Sequence, residues 1–237
     1  MVTPLAVNPG EAASATHLIV SALTRAIVTH QLKPGAKLAE QTIATQFGVS
    51  RTLVRQALFQ LSQHRLIRME PARGAYVASP SATEARQVFA ARRMIEAEMM
   101  RAFARQVTPA QIRALQRHIR AEKAALGRDD TDARTRRTGL LRDFHVRVAE
   151  LMGNLVLAEM LDALISRCSL ITLMYQSTDA AEHSSDEHAQ IVAALAAHDE
   201  LLAVRLMDDH LQHVQAGLDF ETPATQKTPS AWRATPP

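Results

Sequence analysis

The sequence has a single cysteine, Cys168, among its 237 residues, and only 4% of its residues are aromatic. One cysteine excludes an internal disulfide framework and fits a reducing compartment, where we expect it to be a small buried side chain. No uninterrupted apolar run approaches the roughly 20 residues of a membrane-spanning helix. The N-terminus lacks a basic segment leading into an apolar stretch, so no secretory signal is predicted. These absences favour a globular, cytoplasmic protein without a membrane partner.

Acidic residues are scarce in the first third of the chain. Residues 1–80 carry a net charge of +5, whereas the remaining residues carry a net charge of −2. No acidic residue occurs between positions 41 and 69. A basic segment joined to a mildly acidic remainder predicts that only the first part binds a polyanion such as DNA. The absence of acidic residues between positions 41 and 69 also predicts that the arginines of this stretch have no carboxylate to pair with.

The segment 48–61, "GVSRTLVRQALFQL", predicts a helix with one apolar face and one cationic face. The apolar residues recur at the spacing that seats a helix on a core: Val54, Ala57, Leu58 and Leu61. Arg51 and Arg55 are one turn apart on another face, and arginine can make paired hydrogen bonds to guanine. Ser50 is expected to cap the helix, and Ser50 and Thr52 can reach phosphates at its N-terminus. Such a helix is suited to the major groove of DNA.

The surrounding pattern predicts a winged helix–turn–helix. Its elements are a helix, a Pro-Gly turn, a short helix, the helix described above and a β-hairpin, in the segments 14–30, 34–35, 40–47, 51–64 and 65–79. Arg73 and Gly74 fall in the hairpin turn, where we expect the wing tip to contact the minor groove or the DNA backbone. From residue 84 onward the pattern is helical throughout, in the segments 84–106, 109–126, 131–152, 154–176, 185–198 and 200–217.

The predicted fold class is therefore mainly α, with a winged helix–turn–helix and small β-hairpin followed by an all-α helical bundle. The sequence predicts five segments in chain order. They are a flexible arm (1–13), the winged domain (14–79), a linker (80–84), the helical domain (85–220) and a disordered tail (221–237).

Two stretches carry a resemblance to a known family. The run "LKPGAKLAEQTIATQFGVSRTLVRQALFQLSQHRLIRMEPARGAYV", residues 32–77, resembles the DNA-binding domain of the GntR family of bacterial transcription regulators. The helical domain resembles the FCD ligand-binding domain of its FadR-like branch, through "RRMIEAE", "FHVRVAELMGN", "EHAQIVAAL" and "MDDHL". The resemblance implies DNA contacts by Arg51, Arg55, Arg73 and Gly74. It also implies a homodimer on a palindromic operator, and a repressor controlled by a small-molecule effector, expected to be an organic acid, bound in the helical domain.

FCD domains commonly bind a divalent metal through one aspartate and three histidines, and the resemblance implies His145, His188 and His210 as the histidines. The metal would be Zn²⁺, Ni²⁺ or a similar cation. Leu141 stands where the family has its aspartate, and Asp143 lies on the other side of the helix. Three alternatives stay open: a three-histidine metal site completed by water or effector oxygens, a metal-free pocket that binds an anionic effector, and ordinary core or surface histidines.

The resemblance also implies an effector contact for Arg92, which could instead be a solvated arginine. Asn154 is a second effector candidate, or else the N-cap of the helix that follows it. Two other functions stay open: a metal-dependent hydrolase tethered to a DNA-binding domain, and an effector-independent DNA-binding protein. The hydrolase would need a general base near the metal, and no acidic residue is well placed for it. We expect a regulator rather than an enzyme.

Overall fold

The computed structural model describes residues 9–28, 31–126, 131–175 and 181–220. The chain divides into two compact units, with the boundary between Ser79 and Pro80. The first helix, α1, begins at Pro9, so residues 9–13 are helical and do not belong to the predicted arm. Residues 1–8 and the predicted tail 221–237 lie outside the described residues.

The first unit is a winged helix–turn–helix, as predicted. Its elements are α1 (Pro9–Val28), β1 (Lys37–Leu38), α2 (Glu40–Phe47), α3 (Arg51–Gln63), β2 (Ile67–Glu70) and β3 (Gly74–Val77). The three strands form an antiparallel sheet in the order β1-β3-β2. Strand β1 was not predicted, because two residues are too few to show the period of a strand.

Local signals in the sequence explain the turn between α2 and α3. Gly48 ends α2 in the left-handed region with φ 64°, a conformation in which glycine carries no steric penalty. The hydroxyl of Ser50 accepts a hydrogen bond from the N–H of Leu53 at 3.4 Å, so the predicted N-cap is confirmed. The apolar face is buried as predicted, at Val54, Ala57, Leu58 and Leu61. Helix α3 therefore presents Arg51 and Arg55 to solvent.

The wing is the hairpin of β2 and β3. Ile67 pairs with Val77 and Glu70 with Gly74, so residues 71–73 form the turn. The N–H of Arg73 donates to the carbonyl of Glu70 at 3.1 Å, and Gly74 has φ 101°, which favours glycine. The side chain of Arg73 is 75% exposed at this tip.

The second unit is a helical bundle. Its helices are α4 (Ala82–Gln106), α5 (Pro109–Leu126), α6 (Thr131–Leu151), α7 (Leu155–Tyr175), α8 (Ala181–Ala196) and α9 (Glu200–Ala216). Helix α4 begins at Ala82 with Ser81 as its N-cap, so residues 82–84 of the predicted linker are helical. Large apolar side chains fill the centre: Phe103, Leu115, Phe144, Leu161, Leu195 and Met207. Among the described residues, no helix combines the length and apolar character needed to cross a membrane.

Candidate functional site

The structure brings the three predicted histidines together in the core of the helical unit. His145, His188 and His210 lie on α6, α8 and α9, and all three are buried. One ring nitrogen from each lies within 4.8 Å of the others, and the Nε2 atoms of His188 and His210 are 3.3 Å apart. Burial excludes the alternative of surface histidines.

Each histidine is held by a buried or half-buried glutamate through its other ring nitrogen. The Nδ1 to carboxylate distances are 2.5 Å for His145–Glu96, 3.0 Å for His188–Glu122 and 2.7 Å for His210–Glu187. A carboxylate at Nδ1 fixes the ring orientation and the tautomer, with Nδ1–H donating and the lone pair on Nε2. The three imidazoles therefore have the outer partners typical of metal-binding histidines.

The donor set fits a divalent cation. Facing lone pairs on His188 and His210 at 3.3 Å repel each other unless a cation lies between them. Three carboxylates and the guanidinium of Arg92 leave two negative charges around neutral imidazoles. Imidazole nitrogen is a ligand that Zn²⁺ and Ni²⁺ accept readily. His145, His188 and His210 would hold such an ion, which would supply an electrophilic centre for an oxygen ligand.

Burial and charge set the protonation states that metal binding requires. Burial lowers the pKa of His145 and His210 to about 4, and it lowers the pKa of His188 as well. Burial opposes ionisation of Glu96, but the charge of Arg92 and the contact with His145 hold its pKa at about 2. At neutral pH the imidazoles are neutral and this carboxylate is ionised, so no proton has to leave before a cation binds.

We expect the free energy of unfolding of the metal-free protein to fall as the pH decreases from about 6.5 to about 4. In this window the unfolded chain protonates its histidines, whereas His145, His188 and His210 resist protonation in the folded chain because their pKa values are lowered. His118 acts in the opposite sense, since its contact with Glu122 raises its pKa against the effect of burial, but it is one group against three. Urea denaturation at about pH 7.5 and about pH 5 measures the difference. The difference should shrink in His210→Gln, and equal stabilities of the parent protein would contradict the prediction.

Leu141 occupies the position that the resemblance assigns to an aspartate. Leu141 is half-buried and offers no ligand atom. Asp143 is exposed and lines an outer groove of about 570 Å³, together with His118 and Glu150. Within the described residues, the group that could hold a metal consists of the three histidines alone.

Arg92 lies beside this cluster and is buried, so the alternative of a solvated arginine is wrong. Its Nε donates to Glu96 at 2.7 Å, and its Nη1 lies 3.5 Å from the thiol of Cys168. Its Nη2 is buried without a hydrogen-bond partner. The hydroxyl of Ser185, one turn before His188 on α8, is likewise buried without a partner. Buried polar atoms without partners are costly, which makes both atoms candidates for contact with a ligand.

Asn154 is placed differently from Arg92. It is exposed, and its side-chain oxygen accepts a hydrogen bond from the N–H of Leu157 at 3.0 Å. This contact caps α7, so the structure supports the capping alternative for Asn154 and gives no support to an effector contact.

The arginines of α3 do have a carboxylate partner, contrary to the expectation from the acid-free stretch. Glu40 opens α2 immediately before that stretch and contacts Arg51 at 3.0 Å and Arg55 at 2.9 Å. Glu70, immediately after the stretch, contacts Arg73 at 3.2 Å. The arginines remain more than half exposed, so these ion pairs leave them accessible from solvent.

The glutamates that hold the three histidines were not predicted from the sequence. Glu96 lies 49 residues from His145 and Glu122 lies 66 residues from His188, so no local pattern pairs them. A weaker signal was present, because Glu96 follows Arg92 by four residues and Glu122 follows His118 by four. Such pairs share a helix face, and a charged pair on an apolar face indicates a buried polar network.

Known proteins resemble this chain over both units. The model of the family described as "Bacterial regulatory proteins, gntR family" matches residues 16–77, and the FCD domain model matches residues 87–213. The HTH-type transcriptional repressor RspR of Escherichia coli K12 is 28% identical over 192 residues, covering 81% of this chain and 83% of that protein.

Solved structures share the fold. E. coli McbR/YncC superposes with a TM-score of 0.74 at 23% identity, covering 85% of this chain and 95% of that chain. A putative GntR regulator from Rhodococcus sp. RHA1 superposes with a TM-score of 0.73 at 24% identity, covering 86% and 96%. With its winged helix–turn–helix followed by a matched FCD domain, the chain belongs to the GntR family of bacterial transcription regulators.

Proposed function

We propose that this protein is a homodimeric, cytoplasmic repressor that binds a palindromic operator and releases it when a carboxylate metabolite binds in the FCD domain. The winged unit supplies the DNA contacts, through Arg51 and Arg55 in the major groove and Arg73 and Gly74 at the wing. Ser50 and Thr52 lie at the N-terminus of α3, where backbone N–H groups favour a phosphate. A two-fold dimer matches a two-fold operator.

The observation that carries the effector part is the unpartnered Nη2 of buried Arg92 beside the three histidines. Arg92 keeps its positive charge although it is buried, and Glu96 uses only its Nε. A carboxylate oxygen is the partner that such a guanidinium nitrogen favours. A second carboxylate or hydroxyl oxygen would complete the coordination of a cation held by the histidines, and the hydroxyl of Ser185 offers a further hydrogen bond. A chelating organic acid combines these features.

An effector lowers operator affinity only if it binds the DNA-free state of the protein more tightly than the DNA-bound state, and the difference between these two affinities sets the size of the effect.

The alternative function, a metal-dependent hydrolase, has less support. The carboxylates at the histidines are engaged at Nδ1, and Glu96 also binds Arg92, so none is directed at the position that a reacting water would occupy.

A DNA-release assay tests the effector. Full-length protein is bound to a fluorescent duplex obtained by in vitro selection, with Zn²⁺ or Ni²⁺ added, and acetate, malonate, malate and citrate are titrated in turn. We expect at least one chelating acid to weaken duplex binding about five-fold or more, within the usual range of allosteric coupling. Arg92→Lys should bind the duplex equally well without acid and respond more weakly to it, because lysine lacks the planar fork.

Three results would contradict parts of the proposal. Tighter duplex binding with acid would replace the repressor by an activator. Turnover of an ester or amide substrate by the metal-loaded protein would favour the hydrolase. A protein whose duplex affinity and thermal stability respond to no acid would be an effector-independent DNA-binding protein.

A further inference from the structure

A single carboxylate holds both arginines of α3. Glu40 is the first residue of α2, and its side chain is 20% exposed. Its Oε2 accepts from Nε and Nη2 of Arg51, at 3.3 and 3.0 Å. Its two oxygens accept from Nε of Arg55, at 3.0 and 2.9 Å. The two guanidinium groups therefore converge on one point although their residues are one helical turn apart.

The contacts leave a particular edge of each guanidinium unused. A guanidinium offers one pair of N–H donors along its Nε–Nη2 edge and another pair along its Nη1–Nη2 edge. Glu40 occupies the first edge of Arg51 and the Nε of Arg55. Among the described residues, the hydrogen bonds of both arginines go to Glu40 through Nε and, for Arg51, one N–H of Nη2, so N–H donors remain along the Nη1–Nη2 edge of each. That edge can donate two parallel hydrogen bonds to O6 and N7 of guanine.

We propose that Glu40 is a positioning residue that orients Arg51 and Arg55 for guanine recognition. This inference rests on the proposed DNA-binding function and adds a residue that does not itself need to contact DNA. Arginine side chains have many rotamers, and ordering them on DNA has an entropic cost. A carboxylate that restrains them beforehand lowers that cost and fixes which edge faces the bases. The effect is on base preference, because phosphate contacts do not require a fixed guanidinium orientation.

The charge of Glu40 allows two roles to be distinguished: positioning the arginines for DNA, and competing with DNA for them. A carboxylate near DNA repels phosphates, so its removal should not weaken non-specific binding. If Glu40 only competed with DNA for the arginines, its removal would strengthen specific and non-specific binding together. Positioning predicts that specific binding weakens while non-specific binding is kept or increased.

The test is in vitro selection from a duplex library with a randomised core, using full-length parent protein, Glu40→Gln, Glu40→Asp and Glu70→Gln. Glu70→Gln is the matched control, since Glu70 pairs with the wing arginine Arg73 and its side chain is also 20% exposed. We expect the parent to enrich a motif with guanines, and Glu40→Gln to lose about ten-fold of its preference for them. Glu40→Asp, which keeps the charge but is one methylene shorter, should lose part of it. Glu70→Gln should keep the guanine preference of the parent.

Affinity for a scrambled duplex is measured alongside and should not decrease in Glu40→Gln, and thermal melting checks the fold of each variant. Unchanged guanine preference in both Glu40 variants would overturn the inference while leaving the DNA-binding function intact. Tighter binding of the parent motif by Glu40→Gln would show competition and would also overturn it. Failure of the parent protein to enrich any motif would overturn the proposed function and the inference with it.

Discussion

Arg55→Ala is expected to weaken binding to the selected duplex by about thirty-fold or more while leaving binding to a scrambled duplex within a few-fold of the parent. One paired arginine–guanine contact contributes about 1–3 kcal/mol of base discrimination. The proposed homodimer would lose this contact twice, which corresponds to about 2–6 kcal/mol in total. Fluorescence anisotropy with both duplexes at one fixed salt concentration measures the effect, because affinity for DNA depends steeply on salt.

Arg105→Ala is the matched control for this prediction. Arg105 lies on α4 of the helical unit, its side chain is 64% exposed, and it pairs with Glu200 much as Arg55 pairs with Glu40. The substitution Arg105→Ala thus removes an exposed arginine and an ion pair but leaves α3 unchanged. Equal losses in Arg55→Ala and Arg105→Ala would indicate a general effect of charge, and the assignment of Arg55 to base recognition would be wrong.

His210→Ala is expected to abolish stoichiometric metal binding. The purified parent protein, reloaded with Zn²⁺ or Ni²⁺ after chelator treatment, should hold about one equivalent per chain. Since Leu141 offers no ligand atom, three protein ligands would hold the ion, and the loss of one would leave two. At a metal concentration about 100 times the Kd, binding adds about 2.7 kcal/mol of stability, so melting should rise by about 5–10 °C in the parent only. Elemental analysis and thermal melting measure the two effects.

His213→Ala is the control for the metal site. His213 lies on the same helix and binds the other oxygen of Glu187 at 2.6 Å, but it is exposed and its ring is not part of the cluster. It should keep the metal. Glu122→Gln should give an intermediate result, with metal affinity reduced about 10- to 100-fold, because the amide holds His188 less firmly than the carboxylate. A parent protein that binds no metal, with its fold intact, would favour the metal-free anion pocket.

The winged unit was predictable because its signals are local. Gly48 and Ser50 mark the turn within three residues, and the apolar positions from Val54 to Leu61 mark the buried face of α3. The helices of the second unit followed from the same periodicity, with ends displaced by a few residues, as at Ala82 and Ala181. The two residues of β1 could not be predicted, since that strand exists only through its pairing with β3.

The candidate sites were predicted only in part because their polar contacts are distant in sequence. His145, His188 and His210 came from the family resemblance, and composition or spacing alone would have treated them as core histidines. The glutamates came from the fold, since pairs such as His188 and Glu122 meet only when α5 and α8 pack together. The same reason explains the error about Arg51 and Arg55. The acid-free stretch begins at residue 41, directly after Glu40, and only the packing of α2 on α3 brings Glu40 to these arginines.

Helix α4 follows the boundary between the two units and carries Arg92, the residue proposed to bind the effector. It begins two residues after the boundary between the units, and Arg92 lies about 15 Å along it, at 1.5 Å per residue. Two polar contacts join its first half to α7, namely Glu84–Arg167 and Arg92–Cys168, and Tyr175 at the end of α7 donates to the carbonyl of Pro80 just before α4. A carboxylate bound at Nη2 of Arg92 would therefore add a contact to the part of α4 that these hydrogen bonds join to α7. If an effector bound there changed the packing of α4 on α7, the change would reach Pro80 along continuous helix.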